Sequence, residues 1–254
     1  MTQIDSLDPA SEKYAALDLK SVALLLDVDG TLIDIGPSPY EVQVPKNLCR
    51  SLERLVDRTG GALALISGRP IAGLDRLFSP LKLSAVGGHG AEIRVGDAAQ
   101  REHVRPLPKA LRERIAKSVP DQVLVEDKGY SIAVHYRGVP AGKERLQKLL
   151  ADVSADYPKE SVEILPGKEM LELKRAGINK GEAVRKLMTL PPFAGRMPVF
   201  IGDDVTDESV FAILPDMGGE AFSVGRKFDG LTAIFDTPAS VRAVLAQLAG
   251  LTAA

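Results

Sequence analysis

The sequence predicts an α/β protein, a parallel-sheet core interrupted by an inserted α+β domain, and three observations carry that prediction. Apolar runs at Val22–Leu26, Ala62–Ile66 and Met197–Ile201 have strand length and no alternation, and each stops at polar residues, as interior parallel strands covered on both faces do. Segments with apolar residues at helical spacing lie between these runs. From about Arg105 to Arg175 the rhythm changes to helix, strand pair, helix, strand pair, the mark of a small α+β unit.

Residues 1–20 lack clear periodicity and read as a flexible lead-in, with a short helix around Ser11 to Leu17. The core is expected over 21–104 and 176–254, and the inserted domain over 105–175. The first strand, Val22–Leu26, runs into Asp27-Val28-Asp29-Gly30-Thr31-Leu32. Asp34 to Pro45, with Gly36, Pro37 and Pro39, reads as a loop. Leu48, Leu52, Leu55 and Val56 mark a helix ending at Gly60-Gly61. The second strand ends in Ser67-Gly68-Arg69-Pro70, with Pro70 in the first turn of a new helix. A third strand, Leu83 to Gly87, leads into Gly88-His89-Gly90-Ala91-Glu92, whose glycines allow close approach of backbone or ligand.

In the insert, helices are expected at Pro108–Val119 and Gly142–Tyr157. Strands are expected at Gln122–Glu126, Tyr130–Tyr136, Ser161–Leu165 and Glu169–Lys174, with tight turns at Asp127-Lys128-Gly129 and Pro166-Gly167-Lys168. The core resumes with a helix opening at Asn179-Lys180-Gly181-Glu182 and a strand at Met197–Ile201. Strands at Ala221–Val224 and Ala233–Phe235 and a helix at Ser240–Leu248 complete it.

Composition bounds the partners. The chain has 254 residues, 45% of them hydrophobic, enough for a substantial core. A formal charge of -2 offers no field for nucleic acid or an anionic membrane. The longest apolar runs, Val22–Leu26 among them, are far short of the ~20 residues needed to span a bilayer. The single cysteine, Cys49, has no internal disulfide partner. The expectation is a cytoplasmic monomer acting on a small molecule.

The strand ends carry the chemistry, because open parallel sheets present ligands just beyond the carboxyl ends of their strands. Asp27 and Asp29, two apart on an extended segment, face the same way and repel each other unless a cation is present or one holds a proton. Ser67, backbone N–H groups and the Arg69 guanidinium at a helix start suit a phosphate or sulfate, although a plain N-cap turn accounts for the same residues. Lys180 stands at a helix N-terminus, where the dipole disfavours it, so it needs full solvation or an anionic partner. Asp203, Asp204, Asp207 and Glu208 crowd four carboxylates into six positions. Helix capping explains part of that cluster; the adjacent Asp203 and Asp204 point to a divalent cation, with Mg²⁺ favoured by hard oxygen donors. His89 is a base, a substrate contact or simply a turn residue.

The string Asp-x-Asp-Gly-Thr-Leu resembles the first motif of the haloacid dehalogenase (HAD) superfamily of phosphatases and phosphotransferases. Ile66-Ser67-Gly68-Arg69 resembles its second motif and Gly202-Asp203-Asp204-x-x-Asp207 its fourth. The resemblance implies a HAD-like Rossmannoid core, with Asp27 as nucleophile and Asp29 as general acid and then base. It implies that Ser67 and Lys180 hold the phosphoryl group. It implies Mg²⁺ held by Asp27, the Asp29 carbonyl and Asp203, with Asp204 and Asp207 in support. An insert between the second and third motifs resembles the cap of the sugar-phosphatase branch. Glu126-Asp-Lys128-Gly-Tyr-Ser131-Ile-Ala-Val-His135-Tyr136-Arg137 and Gly167-Lys168-Glu-Met-Leu-Glu172-Leu-Lys174 resemble cap motifs of the trehalose-6-phosphate phosphatase family. That resemblance implies hydrolysis of trehalose 6-phosphate, with Ser67, Gly68, Arg69, His89, Glu126, Lys128, Lys168 and Glu172 as substrate contacts. For the cap residues the competing account is exposed charges pairing across a hairpin. Lys174-Arg175 departs from the family's more usual Lys-Pro. The alternatives are a sucrose- or mannosylglycerate-phosphate phosphatase, a phosphomutase, or a non-enzymatic sugar-phosphate sensor.

Overall fold

The computed structural model describes residues 9–36, 42–97, 101–139, 142–167 and 169–251. Residues 1–8 of the expected lead-in, 37–41 of the expected loop and Lys168 lie outside the described residues. The chain divides into two compact units, Met1–Glu102 with Asn179–Ala254, and His103–Ile178. The first unit opens with α1 (Pro9–Ala15), β1 (Val22–Leu26), α2 (Lys46–Arg58), β2 (Leu63–Ile66), α3 (Ile71–Leu77), β3 (Ser84–Gly87), β4 (Glu92–Arg94) and β5 (Arg101–His103). The second contains α4 (Lys109–Ser118), β6 (Leu124–Asp127), β7 (Ser131–His135), α5 (Gly142–Ala155), β8 (Val162–Gly167) and β9 (Met170–Arg175). The first then resumes with α6 (Lys180–Leu187), β10 (Met197–Gly202), α7 (Glu208–Phe211), β11 (Glu220–Val224), β12 (Ala233–Phe235) and α8 (Pro238–Leu248).

The core sheet has the order β12-β11-β10-β1-β2-β3-β4-β5. β1 pairs in parallel with β10 on one side and β2 on the other, and the parallel run extends through β11 and β12 and through β3. β4 is antiparallel to β3. The unbroken apolar run of β1 follows from this central place. Val22, Leu24 and Leu26 pack with Leu48, Leu52, Leu74 and Val241, from α2, α3 and α8, while Ala23 and Leu25 pack with Val184 and Phe211, from α6 and α7. Both faces are therefore dry, and the carboxyl ends of β1, β2 and β10 share one edge. Among the described residues, no helix is long and apolar enough to cross a membrane.

Helix α1 overlaps the short helix expected around Ser11 to Leu17, beginning two residues earlier. Helix α1 packs on the core, and Tyr14, fully buried, meets Phe222 and Phe235 edge-on at centroid distances of 5.1 and 5.9 Å. Among the described residues its hydroxyl finds no hydrogen-bond partner, and burial pushes the phenol above its usual range. A desolvated, unsatisfied donor costs stability. Tyr14→Phe is expected to raise stability by about 1 kcal/mol, seen as a higher urea midpoint with an unchanged slope.

In the second unit the expected helices and strands all form, with ends displaced by one or two residues. The sheet, β6-β7-β9-β8, is antiparallel throughout. Ile132, Val134, Leu171 and Leu173 pack with Leu111, Ile115, Leu146 and Leu150 from α4 and α5. Alternation puts Ser131, Ala133, Glu172 and Lys174 on the opposite face. Where the chain enters and leaves this unit, Arg175 donates to the carbonyls of Arg105 (2.8 Å) and Pro106 (2.9 Å), and Glu160 accepts from both Arg175 (2.6 Å) and Arg105 (3.2 Å). The Arg175 that departs from Lys-Pro thus ties the entry segment to the exit strand.

Candidate active site

Lys180 organises the edge of the core sheet. Asn179 caps α6 by accepting from Glu182 N at 2.9 Å, which places Lys180 in the first helical turn. Its ammonium, 3% exposed, donates to Asp27 Oδ1 and to Asp207 Oδ1, each at 2.7 Å. Of the two sequence readings for Lys180, the anionic partner is the one observed. Asp207 is itself held: its Oδ2 accepts from the backbone of Asp203 (2.9 Å) and Asp204 (3.0 Å), closing the turn after β10. Thr31 donates to Asp203 Oδ1 at 3.4 Å.

Asp27, Asp203 and Asp207 each offer an oxygen, and these atoms lie within 4.8 Å of one another. Gly30 makes the approach possible. It sits at φ 86°, and a Cβ there would fall 2.1 Å from Asp203 Oδ2. Burial, and then the charges of Asp207 and Asp203, push the Asp27 carboxyl well above the usual range against the opposing pull of Lys180. Burial, then Asp207 and Asp204, push Asp203 up to about 6. Burial alone would lower Lys180, yet its two carboxylate partners overcome that and raise it. Three carboxylates against one ammonium leave excess negative charge on hard oxygen donors, a set that fits a divalent cation.

Two residues of the expected metal set place their carboxylates outside this group, although for Asp29 the expected ligand is the backbone carbonyl. The Asp29 carboxylate is gripped by the Arg69 fork, Nε to Oδ2 and Nη2 to Oδ1, both at 2.6 Å. Asp204 caps the turn after β10, accepting from Val205 N at 2.8 Å, and pairs with Arg226 at 3.7 Å. Adjacent residues on extended backbone point opposite ways, so Asp203 enters the cluster and Asp204 turns outward.

At the expected anion cradle after β2, one backbone donor is already taken. The first amide of α3, Ile71 N, donates to buried Glu92 Oε2 at 2.5 Å, so the start of this helix already holds a carboxylate of the chain. With Arg69 on Asp29, the hydroxyl of Ser67 remains, in a turn where it accepts from Arg69 N at 3.1 Å. His89, at φ 53°, donates its backbone N–H to the Ser67 carbonyl at 3.1 Å, and its ring lies against Gly68, where a Cβ would meet Nε2 at 2.3 Å. Ser67, Gly68, Arg69 and His89 therefore form one packed turn.

In the second unit, Glu172 is 2% exposed and its Oε1 accepts from Ser131 Oγ at 2.5 Å and Lys128 Nζ at 3.2 Å. The account of Lys128 and Glu172 as exposed pairing charges fails, since both are shielded from solvent. Glu126 is half-buried and lies 3.5 Å from His135 Nε2. Sequence reasoning missed Thr31, Ser131 and Asn179 as supporting residues. Thr31 stood inside the first motif and Ser131 in a strand at the parity of Glu172, so both carried a local signal.

The parallel sheet with Asp27, Lys180 and Asp203 gathered at the carboxyl edge of its central strands defines a phosphoryl-transfer protein of the HAD superfamily. Residues 25–228 match the trehalose-phosphatase family model, and the chain belongs to that family. It is 38% identical over 243 residues to a probable trehalose-phosphate phosphatase of Sinorhizobium fredii, covering 91% of this chain and 89% of that one. It is 38% identical over 209 residues to the trehalose-6-phosphate phosphatase of Escherichia coli, covering 80% and 77%. The fold is shared with the C-terminal domain of the C. albicans trehalose-6-phosphate phosphatase, with a TM-score of 0.76 at 23% identity over 95% of this chain and 97% of that one.

Proposed function

We propose that this chain hydrolyses trehalose 6-phosphate to trehalose and phosphate in a Mg²⁺-dependent reaction through an aspartyl-phosphate, acting as a monomer in the cytoplasm. The observation that carries the reading is the buried Lys180–Asp27 contact at the end of β1, in a chain of the trehalose-phosphatase family. An Asp27 oxygen attacks phosphorus, and the bond from phosphorus to the sugar oxygen breaks. Asp29 gives its proton to that oxygen and then takes one from the water that cleaves the acyl phosphate. Ser67 and Lys180 hold phosphoryl oxygens whose charge grows in the transition state. Arg69 must release Asp29 for the proton to move, and its fork then suits a phosphoryl oxygen. Mg²⁺, bound by Asp27 and Asp203 with Asp207 behind them, would supply charge neutralisation of the phosphoryl group. Glu126, Lys128, Lys168 and Glu172 would meet the hydroxyls of the neutral disaccharide.

The test is phosphate release from trehalose 6-phosphate beside glucose 6-, mannose 6- and sucrose 6-phosphate, with and without Mg²⁺. A Mg²⁺-dependent preference for the trehalose ester is expected. Preference for another ester would overturn the substrate, and no release from any would leave the sensor reading standing.

The metal carries a pH signature. A carboxyl raised from 3.8 to about 6, as Asp203 is, contributes stability below its unfolded value and loses it as the pH rises through the folded one. The metal-free protein should therefore lose stability at this site between about pH 4 and pH 7. Mg²⁺ binds the ionised form and reverses that loss. At ~100 times its dissociation constant it should contribute about 2.7 kcal/mol. Calorimetry with Mg²⁺ or chelator should show a larger melting shift near neutral pH than under acid conditions, and an equal shift would count against Asp203 as a ligand.

A further inference from the structure

Glu172 is the most shielded carboxylate of the second unit's helix-free face, and two donors converge on a single one of its oxygens. Ser131 Oγ reaches Oε1 at 2.5 Å and Lys128 Nζ reaches it at 3.2 Å. The sheet register explains the convergence. Ser131 pairs with Lys174 and Ala133 with Glu172, so Ser131 stands diagonally across from Glu172 on the same face, within reach of a long side chain. Lys174 turns to Glu163, at 2.8 Å, and to the Ile178 carbonyl, while Ser131 donates across the strands to Glu172.

A serine hydroxyl has one proton, and at 2.5 Å from a buried carboxylate oxygen that proton is committed. Packing alone does not require it, because Ser131 is 1% exposed and an apolar residue of strand-forming type would fill the place. What the hydroxyl adds is orientation: a carboxylate with one oxygen fixed by two donors is held in a single rotamer.

We infer that Ser131 is a positioning residue for substrate recognition, fixing Glu172 so that its carboxylate meets the hydroxyls of a neutral sugar in one orientation. The inference rests on the proposed reading of Glu172 as a sugar contact and extends it to a residue that touches no substrate.

The experiment compares trehalose 6-phosphate with p-nitrophenyl phosphate, an ester that has no sugar to recognise. Ser131→Ala should lower kcat/KM for trehalose 6-phosphate by about ten- to a hundred-fold, the range for a hydrogen bond to a charged group, while p-nitrophenyl phosphate hydrolysis stays within about twofold. Ser131→Thr, which keeps the hydroxyl, should restore the sugar ester, and Ser131→Val, matched to it in volume, should not. That Thr/Val pair decides the matter if the alanine variant fails to fold. Glu172→Gln separates the two layers. If it impairs the sugar ester while Ser131→Ala and Ser131→Val do not, the positioning role is overturned and the sugar reading survives. If Glu172→Gln changes nothing, the sugar reading fails and the inference falls with it. An equal loss on both esters would make Ser131 a structural residue and overturn the inference.

Discussion

Asp27→Asn is expected to lower phosphate release by roughly 10⁴- to 10⁶-fold, as loss of the proposed nucleophile, without loss of stability. An amide oxygen can still accept from Lys180 at the 2.7 Å position, so the ion-paired frame loses a charge but keeps its geometry. The substitution also removes one of three clustered carboxylates, whose mutual repulsion helps push Asp27 above the carboxylate range. Without Mg²⁺ the variant should therefore melt at the parent temperature or above it. Phosphate assay and calorimetry on the same preparation check both halves, and an active variant would remove Asp27 from the mechanism.

Lys180→Met has the opposite profile, losing stability and activity together. The ammonium is buried between Asp27 and Asp207, and removing one member of a buried charge group costs about 3–5 kcal/mol because the other charges stay behind. Turnover should fall by about 10²- to 10³-fold from the missing phosphoryl donor. The pH dependence identifies the cause. With Lys180 gone, nothing offsets the burial that raises Asp27, so stability is retained when the carboxyls are protonated and lost as the pH rises. Melting temperatures of variant and parent should converge on acidification; a constant gap would mean the loss was packing alone.

The apolar run into Asp27 carries its own meaning, because only a strand covered on both faces tolerates Val22–Leu26 without alternation. Lys180 was legible as a charge out of place at a helix start. What sequence could not supply was partnership across distance. Arg69 and Asp29 lie 40 positions apart and meet because β1 and β2 are neighbours, and Glu92 reaches α3 because β4 folds back on β3. The choice between Asp203 and Asp204 turned on a one-residue parity at the end of β10 that composition cannot convey. The short helix carrying Tyr14 was legible but its burial was not, because that is decided by Phe222 and Phe235 more than two hundred residues later.

The Arg175 tie bears on how such a protein could be assembled by insertion. A segment spliced into a surface loop ordinarily leaves its host with the entropy of holding two ends together, a cost that grows slowly with the length enclosed. Here Arg175 and Glu160 fasten the entry segment to the exit strand from inside the inserted unit, so the insert supplies its own closure. A host sheet accepting a module with pre-joined ends needs only a two-ended opening at one loop, and inserts of different length or recognition surface could be exchanged there while β1 and its catalytic edge stayed unchanged.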